Sequence, residues 1–387
     1  KCSVIRSVQA IRRRKFCGSK NHEPEVYEKT YKFLTGSSYL TAKLTGKYVI
    51  DQFLAKGSFR PLYNRDGTIN KENCSLYCRP DQIAECAYSF EIAGTVTEEA
   101  AKESGLKKGT PVIVGTGDST AEAISVGLVE SGTVFFQYGS SMFYYYCVDR
   151  YVDDYVSANG NGSLKGGKEF TIPGTFCIGD GTNAAGTLTR WVRDTFYEEE
   201  LKKERAGGEN AYAVMAREAA EVEAGSEGLI ILPYIYGERS PIQDAKASGM
   251  LFGLKGTHTR KQINRAALEA VGYSTLQHMI LFDEMNLPPK SVITAGGGTK
   301  NAAWMQIICD MIGRQICIPK RYQCSAYGDA AMAALGDRRF RDFTELRDSL
   351  PKGKILVPNE KNHIYYKEHY KMFRDLYLNN KDMMHRI

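Results

Sequence analysis

The 387-residue sequence has no apolar run of about eighteen residues, the length that a helix needs to span a bilayer. Its ten cysteines include no C-x-x-C pair, and its six histidines do not cluster with cysteines at the spacing of zinc ligands. A long chain also does not need the disulfide framework of a small secreted domain. We therefore expect a cytoplasmic protein without a membrane span or a zinc site.

Basic charge is scarce outside the start of the chain. The net charge is +6, but the first 20 residues carry seven basic and no acidic side chains, so the remainder sums to −1. Without further basic clusters between aromatic residues, we expect no nucleic-acid binding. The start resembles a mitochondrial transit peptide in charge, but it has no initiating Met and no clear amphipathic stripe. We interpret residues 1–23 as an unmatched basic leader from a truncated or mistranslated start.

The rest of the sequence alternates strand-like and helical patterns, which predicts an α/β protein with mixed sheets. The length alone suggests two or three domains, and the hydrophobic content of 43% is sufficient for a large core. Predicted strands lie at 111–115, 132–138, 142–148, 228–233 and 291–295. Predicted helices lie at about 119–127, 183–197, 210–223, 260–285 and 302–313.

The connecting segments are predicted from their glycines and small polar residues. Gly36 and Gly46 are expected to stop helices, and residues 59–75 to form a loop with a turn at Asp66 and Gly67. Residues 157–168 are predicted to be a flexible loop. Aromatic residues at helical spacing near the end of the chain predict a closing helix whose apolar stripe is core or interface.

Three glycine-bearing turns each follow a strand-like run, and such turns expose N–H groups that can hold phosphate oxygens. They are residues 115–118 (GTGD), 139–141 (GSS) and 296–298 (GGG). Asp118 stands at a strand-to-helix junction, where it is either a helix N-cap or a functional acid. The triple glycine is either a ligand-binding turn or a tight structural turn.

The segment 232–274, together with the order of the turns, resembles the FGGY carbohydrate kinases. That family's second signature is filled completely by Gly249, Leu251, Gly253, Leu254, Gln262, Ile263, Ala266, Ala267, Leu268 and Glu269. The resemblance covers roughly residues 24 to 350 and includes the small-residue helix SAYGDAAMAALG, residues 325–336.

The resemblance implies an actin/hexokinase-like (ribonuclease H-like) fold, with two domains that close over ATP and a sugar. It places the remaining part of the N-terminal domain at 24–127 and the C-terminal domain at 128–387. Asp118 would be the catalytic base and, with Gly117, would contact the substrate. Mg²⁺ is implied with ATP, although no residue is assigned to the metal.

The other two turns take their roles from the same resemblance. Gly139, Ser140 and Ser141 match the second phosphate-binding hairpin of the family, in which Ser140 replaces the usual Thr. The adenosine turn is matched by Gly296, Gly297 and Gly298, and Asn301 is a candidate for the adenine edge.

Some of the sequence departs from the family or has no assigned role. No Asp-containing strand-turn-strand precedes Pro24, so we expect the N-terminal ATP-phosphate and sugar-binding segment to be lacking and that domain to be incomplete. Phe53 and Leu54 stand where small hydroxyl residues are usual. Residues 237–241, GERSP, are interpreted mainly as scaffolding by a Glu238–Arg239 pair and a proline-fixed turn.

These patterns support three hypotheses. The first is an ATP-dependent sugar kinase that resembles xylulokinases and acts on a pentulose such as xylulose, with ribulose, gluconate and glycerol left open. The second is a truncated, inactive nucleotide-binding fragment. The third, an actin-like interaction protein, is disfavoured by Asp118 and the complete signature. A homodimer would be consistent with each.

Overall fold

The computed structural model describes residue 18, residues 20–320 and residues 324–387. Most of the predicted basic leader lies outside these described residues. The helices in chain order are α1 Pro24–Lys29, α2 Gly36–Thr45, α3 Gln52–Ser58, α4 Lys71–Ser75, α5 Glu98–Ser104, α6 Asp118–Ser125, α7 Gly186–Phe196, α8 Glu198–Arg205, α9 Ala211–Ala220, α10 Arg260–Glu284, α11 Ala302–Ile312, α12 Ser325–Gly336, α13 Phe343–Asp348 and α14 Glu360–Met384.

The strands fall into one large sheet and several two-stranded pairs. In chain order they are β1 Val49–Asp51, β2 Glu85–Ala87, β3 Ile92–Thr95, β4 Pro111–Ile113, β5 Thr133–Tyr138, β6 Met142–Val148, β7 Tyr155–Val156, β8 Ser163–Leu164, β9 Lys168–Glu169, β10 Phe176–Gly181, β11 Ile230–Leu232, β12 Met250–Phe252, β13 Ser291–Ala295, β14 Ile316–Ile318 and β15 Lys354–Leu356.

The large sheet has seven strands in the order β15-β14-β13-β5-β6-β10-β9. Strand β13 pairs in parallel with β5 and β14, whereas the β5–β6 and β6–β10 pairs are antiparallel. The sheet is therefore mixed, as the sequence predicts. The predicted hairpin is present as well, because β5 and β6 are joined by the turn at residues 139–141.

Both faces of the β5–β6 hairpin are buried, because alternate residues of a strand point to opposite faces. Val134, Phe136 and Tyr138 belong to a core cluster that includes buried residues of α10 and α11. Phe135 and Cys147 belong to a second cluster that includes residues of α6 and α12. The hairpin thus forms the middle layer, with helices on either side, and its turn emerges at the edge of this layer.

The segment before α6 is built from smaller units. Strands β1 and β2 pair in parallel, and β3 and β4 pair antiparallel. Helices α2 and α5 begin at N-cap threonines, Thr35 and Thr97, whose side chains accept main-chain N–H groups. A separate apolar cluster, which includes Tyr27, Ile50 and Leu62, fills this part of the molecule.

Each predicted strand and helix has its counterpart within a few residues of the expected bounds, and the closing helix α14 is also confirmed. Its aromatic stripe is core, since Tyr366, Tyr370 and Phe373 are buried. Gly46 ends α2 with a φ of 72°, as expected. Gly36 is a correction: it is the first residue of α2, because Thr35 supplies the cap that starts a helix there.

Two predicted loops contain regular structure. Helix α4 occupies the end of the 59–75 segment, although the turn at Asp66 and Gly67 is present. Strand β8 and the start of β9 lie within 157–168, and Asn161 in that segment is buried. The Asn161 main-chain O accepts a hydrogen bond from Gln277 on α10, and its side chain accepts one from Tyr370 on α14. Contacts with distant helices, which the local composition does not reveal, hold this segment.

Candidate active site

The loop between β4 and α6 carries Asp118 at the first position of the helix. Gly115 has a φ of 72°, and its N–H donates to the Ser89 main-chain O at 2.9 Å, which turns the chain out of the strand. The N-cap is Gly117, and the Asp118 Oδ1 accepts the neighbouring Ser119 N–H at 2.7 Å. Asp118 is therefore not the N-cap, and its side chain is exposed.

Asp118 lies in a cleft of about 550 Å³, which we call the Asp118 cleft. One wall is formed by Phe53 and Leu54 of α3, and the floor includes Tyr145, whose hydroxyl lies 2.9 Å from the Ser119 hydroxyl. The charged side chains that line the cleft are Asp118, Asp180, Lys168 and Arg239. Gly117, predicted as a substrate contact, also lines it. The cleft thus combines acidic, basic, hydroxyl and apolar groups from distant segments.

Helix α12 fixes the helix that begins at Asp118. Gly328 packs so closely on α6 that a Cβ there would overlap the main-chain carbonyl of Ala121. Burial raises the pKa of Asp329, and the nearby negative charge of Asp118 adds to that rise. The small residues of 325–336 thus allow α12 to support Asp118 directly.

A second cavity, of about 500 Å³, lies beside the other two glycine turns, and we call it the glycine-lined cavity. It is lined by Gly139 and Ser140 from the hairpin turn and by Gly297, Gly298 and Asn301 from the turn after β13. The structure therefore brings together two turns that lie more than 150 residues apart in the sequence.

The three glycines at 296–298 have different roles. Gly296 has a φ of 96°, and a Cβ there would lie 2.5 Å from the Tyr138 main-chain O. At Gly298 a Cβ would lie 2.8 Å from both Trp304 and Tyr138. A Cβ at Gly297 would meet nothing within 4 Å. Two of the glycines therefore satisfy packing, and Gly297 leaves open space at the wall of the cavity.

Asn301 lines the cavity but also caps a helix. Its Oδ1 accepts the Trp304 N–H at 3.0 Å at the start of α11. The cap orients the side chain, and its amide NH₂ has no partner among the described residues. A contact to the adenine edge through a donated hydrogen bond is therefore compatible with the cap.

The hairpin turn is held against the start of α7. The Ser140 main-chain O accepts N–H groups of Ala185 and Thr187, and the Gly186 N–H donates to the Gly139 main-chain O at 2.9 Å. In the described part of the chain the Ser140 hydroxyl makes no hydrogen bond. Ser141 does not line either cavity; its main-chain O accepts the Gly139 N–H at 2.9 Å. The turn therefore presents Gly139 and Ser140, rather than all three residues.

Sequence reasoning missed several lining residues. Gly186, Thr189 and Arg190 of α7 line the glycine-lined cavity, which places the N-terminal turn of a helix beside it. A usable signal was present, because Gly186 opens a helical pattern shortly after a strand, as the glycines of the 115–118 turn do. Asp180 and Lys168 in the Asp118 cleft carried no comparable local signal.

In the GERSP segment, the side chains of Glu238 and Arg239 do not pair with each other as the sequence analysis expected, but bind other groups. The buried Glu238 accepts main-chain N–H groups of Asn183 and Arg239 through Oε1, at 2.6 Å and 2.8 Å. The Arg239 guanidinium donates to the Asn183 side chain and the Thr182 main-chain O, both at 3.0 Å. Glu238 is scaffolding, whereas Arg239 reaches the wall of the Asp118 cleft.

Comparison with known families decides the class of the chain. The C-terminal domain of the FGGY family of carbohydrate kinases matches residues 138–336, and the N-terminal domain of that family matches residues 18–125. The chain belongs to the FGGY family. It is therefore a carbohydrate kinase by family, and ATP is the phosphate donor expected of FGGY kinases.

Individual FGGY kinases are similar over most of this chain. A xylulose kinase of Bacillus subtilis is 27% identical over 368 residues, which cover 94% of this chain and 70% of that kinase. A gluconokinase of the same organism is 26% identical over 336 residues, which cover 85% of this chain and 63% of that kinase. The crystal structure of a xylulose kinase from Rhodospirillum rubrum has a TM-score of 0.83 at 27% identity, and covers 96% of this chain and 72% of that structure.

These comparisons confirm the two-domain actin/hexokinase-like fold and correct one expectation. The N-terminal domain match begins at residue 18, inside the predicted unmatched leader of residues 1–23. It extends to residue 125, and so does not support the expectation that the family's N-terminal segment is lacking.

Two other features of the described residues bear on partners. They contain no helix long and apolar enough to cross a membrane. The same residues bring together no group of three His, Cys, Asp or Glu side chains suited to hold a metal ion.

Proposed function

We propose that this FGGY kinase transfers the γ-phosphoryl group of ATP to a hydroxyl of a pentulose such as xylulose, with Asp118 as the general base. The observation that carries the proposal is the arrangement of the two cavities. One is lined by glycine turns, and the other holds an exposed carboxylate among groups that suit a small polar molecule.

The two cavities are joined by the β5–β6 hairpin. Ser140 lines the glycine-lined cavity and Phe143, three residues later, lines the Asp118 cleft. Three residues of extended chain span about 10 Å. A nucleotide in the first cavity can therefore direct its phosphates along the hairpin toward a sugar in the second.

Asp118 acts on the attacking hydroxyl. The hydroxyl oxygen forms a bond to the γ-phosphorus while the bond to the β,γ-bridging oxygen breaks, so that ADP leaves. The Asp118 carboxylate accepts the hydroxyl proton as attack proceeds. An exposed position at the edge of a cleft suits this role, because the carboxylate is open to a substrate.

The residues of the glycine-lined cavity fit an adenine nucleotide. Open space at Gly297 admits the adenosine, and the Asn301 amide can donate to the adenine edge. The Ser140 hydroxyl and the Arg190 guanidinium, which both line the cavity, can donate to the phosphates. Mg²⁺ would neutralise phosphate charge; because no protein cluster for it exists among the described residues, the phosphates would supply many of its ligands.

The choice of a pentulose rests on the sequence likeness to xylulose kinases, and the gluconokinase likeness makes a sugar acid the second candidate. The domain boundary at 127/128, the cytoplasmic location and the homodimer stay predictions.

The direct test is to incubate the purified chain with Mg-ATP and, separately, D-xylulose, D-ribulose, gluconate and glycerol. Phosphorylated product is identified by ³¹P NMR, and ADP release is measured in parallel. We expect the highest kcat/KM with D-xylulose. A preference for gluconate would replace the pentulose assignment, and ATP binding without any product would support the inactive-fragment hypothesis instead.

A further inference from the structure

Arg239 is a cation in the Asp118 cleft whose guanidinium is held by neutral groups. Its Nε donates to the Asn183 Oδ1 and its Nη2 to the Thr182 main-chain O, each at 3.0 Å. Across residues 20–320 and 324–387, no carboxylate forms an ion pair or hydrogen bond with this guanidinium. Its positive charge is therefore not neutralised by a direct partner.

The support behind Arg239 is rigid. Glu238 is 2% exposed, and its Oε1 accepts N–H groups from both Asn183 and Arg239, which ties the two segments together. The Asn183 side-chain amide also donates to the Tyr236 main-chain O at 3.1 Å. The bonds to Asn183 and Thr182 use two of the five guanidinium N–H groups, so three remain without a partner among the described residues, on a side chain that lines the cleft.

Arg239 also lies near the connection between the two cavities. The Thr182 N–H donates to the Met142 main-chain O at 2.8 Å, beside the hairpin turn. Ala185, three residues after Thr182, donates to the Ser140 main-chain O at 3.0 Å. The guanidinium is thus attached to the same short segment that supports the Gly139–Ser140 turn.

This position suits one chemical task. A guanidinium binds the oxygens of a phosphoryl group through paired N–H donors, and phosphoryl transfer gains mainly from charge stabilisation. A cation already paired with a carboxylate would stabilise the charge of a phosphoryl group less. We propose that Arg239 is a catalytic residue that binds the phosphoryl group during its transfer to the sugar.

The inference rests on the proposed kinase function, and the same donors could bind the carboxylate of a sugar acid. Kinetics distinguish binding of the phosphoryl group from binding of a sugar carboxylate. A residue that binds the transferred phosphoryl group affects kcat for every sugar substrate. A residue that binds a sugar carboxylate affects KM for the sugar acid alone.

The test compares Arg239→Met and Arg239→Lys with the wild type on D-xylulose and gluconate. Loss of one such donor group costs about 10²- to 10³-fold in kcat. We expect a loss of this size for Arg239→Met with every sugar that the wild type phosphorylates. Added guanidinium ion should restore part of that activity. Arg239→Lys should restore little, because an ammonium cannot donate in a paired geometry.

Arg150→Met is the matched control, since Arg150 is an exposed arginine that donates to the Asn286 main-chain O, and it should leave kcat unchanged. A lowered Tm for Arg239→Met with normal kcat would overturn the proposal in favour of scaffolding. A raised KM for gluconate alone would overturn it in favour of carboxylate recognition.

Titration with inorganic phosphate in the presence of ADP, followed by ³¹P NMR, separates this inference from the kinase proposal. Arg239→Met should weaken phosphate binding at least tenfold even if the wild type phosphorylates none of the sugars tested. Equal phosphate affinity in wild type and Arg239→Met would remove the oxyanion role.

Discussion

The two cavities are built on different principles. The glycine-lined cavity combines main-chain turns, at Gly139 and Gly297, with side chains such as Tyr212 and Trp304, and its open space depends on the side chain that Gly297 lacks. The Asp118 cleft is formed by side chains from several segments, among them Phe53, Asp118 and Arg239. At a glycine turn, an added side chain fills the cavity, whereas in the Asp118 cleft a substitution changes the charged group that faces the substrate. The comparison suggests that nucleotide binding and sugar chemistry can be disrupted separately.

The largest expected effect comes from Asp118→Asn. This change keeps the size of the side chain but removes the proton acceptor, and general-base catalysis contributes about 10²- to 10⁴-fold in rate. We expect kcat to fall by that factor while ATP and sugar affinities and Tm remain close to wild type. Steady-state kinetics, calorimetry and thermal melting measure the three quantities.

The cap alternative for Asp118 predicts another pattern. A lost N-cap costs about 1 kcal/mol of stability, so Asp118→Ala would melt early while Asp118→Asn kept its rate. Because Gly117 is the N-cap in the structure, we expect only a small stability change in either variant. Near-normal turnover by Asp118→Asn would end the catalytic assignment.

Gly297→Val should damage the other cavity. The side chain would enter open space, so the fold should be retained, but it would fill the volume proposed for the nucleotide. We expect at least a tenfold loss of ATP affinity, which corresponds to about 1.4 kcal/mol, measured by calorimetry. Gly256→Val is the matched control, since a Cβ at Gly256 also meets nothing within 4 Å. Equal ATP affinity in both variants would remove the adenosine assignment.

Gly328→Val should disturb the support of Asp118 and spare the glycine-lined cavity. The added side chain overlaps the main chain of α6, and overpacking of this kind costs about 1–3 kcal/mol. We expect a lower Tm and a lower kcat, with ATP affinity nearly unchanged. Ala330→Val, at an exposed position of the same helix, provides the control. A parallel loss of ATP affinity would show that the two cavities are not separable.

The smallest expected effect on either cavity comes with a pH dependence of stability from Asp51, the N-cap of α3 behind the Phe53 wall. Burial raises the pKa of Asp51 to about 7, compared with about 3.9 in an unfolded chain. Between these values the folded state holds a proton that the unfolded state has lost. Stability should therefore fall as pH rises through that window, by up to about 1.4 kcal/mol per pH unit.

Asp51→Asn should remove this contribution, because Asn still caps the helix but does not titrate. Urea unfolding at pH values from 4 to 8 measures the difference. Asp342→Asn, at the exposed N-cap of α13, is the matched substitution with which the Asp51→Asn profile is compared. An identical pH profile for Asp51→Asn and wild type would contradict the role of Asp51.

Sequence reasoning succeeded where the signal was local. Two strand-like runs joined by Gly-Ser-Ser predicted the β5–β6 hairpin, and glycines after strands marked the turns that line both cavities. The signature around Gly249 and Glu269 led to the FGGY family, which the domain matches bear out. A glycine's freedom of φ and the strand propensity of a short run are properties of a few neighbouring residues, so they can be recognised without knowing the fold.

The tertiary structure alone decided which side chains meet. Arg239 was interpreted as half of a local ion pair, yet its guanidinium binds Asn183 and Thr182, more than 50 residues earlier in the chain. The Asn301 side-chain oxygen caps α11, and Gly328 contacts α6, about 200 residues earlier in the chain. Contacts of this kind depend on how the sheet brings separate segments together, and a side chain's chemistry is set by the neighbours that the fold supplies.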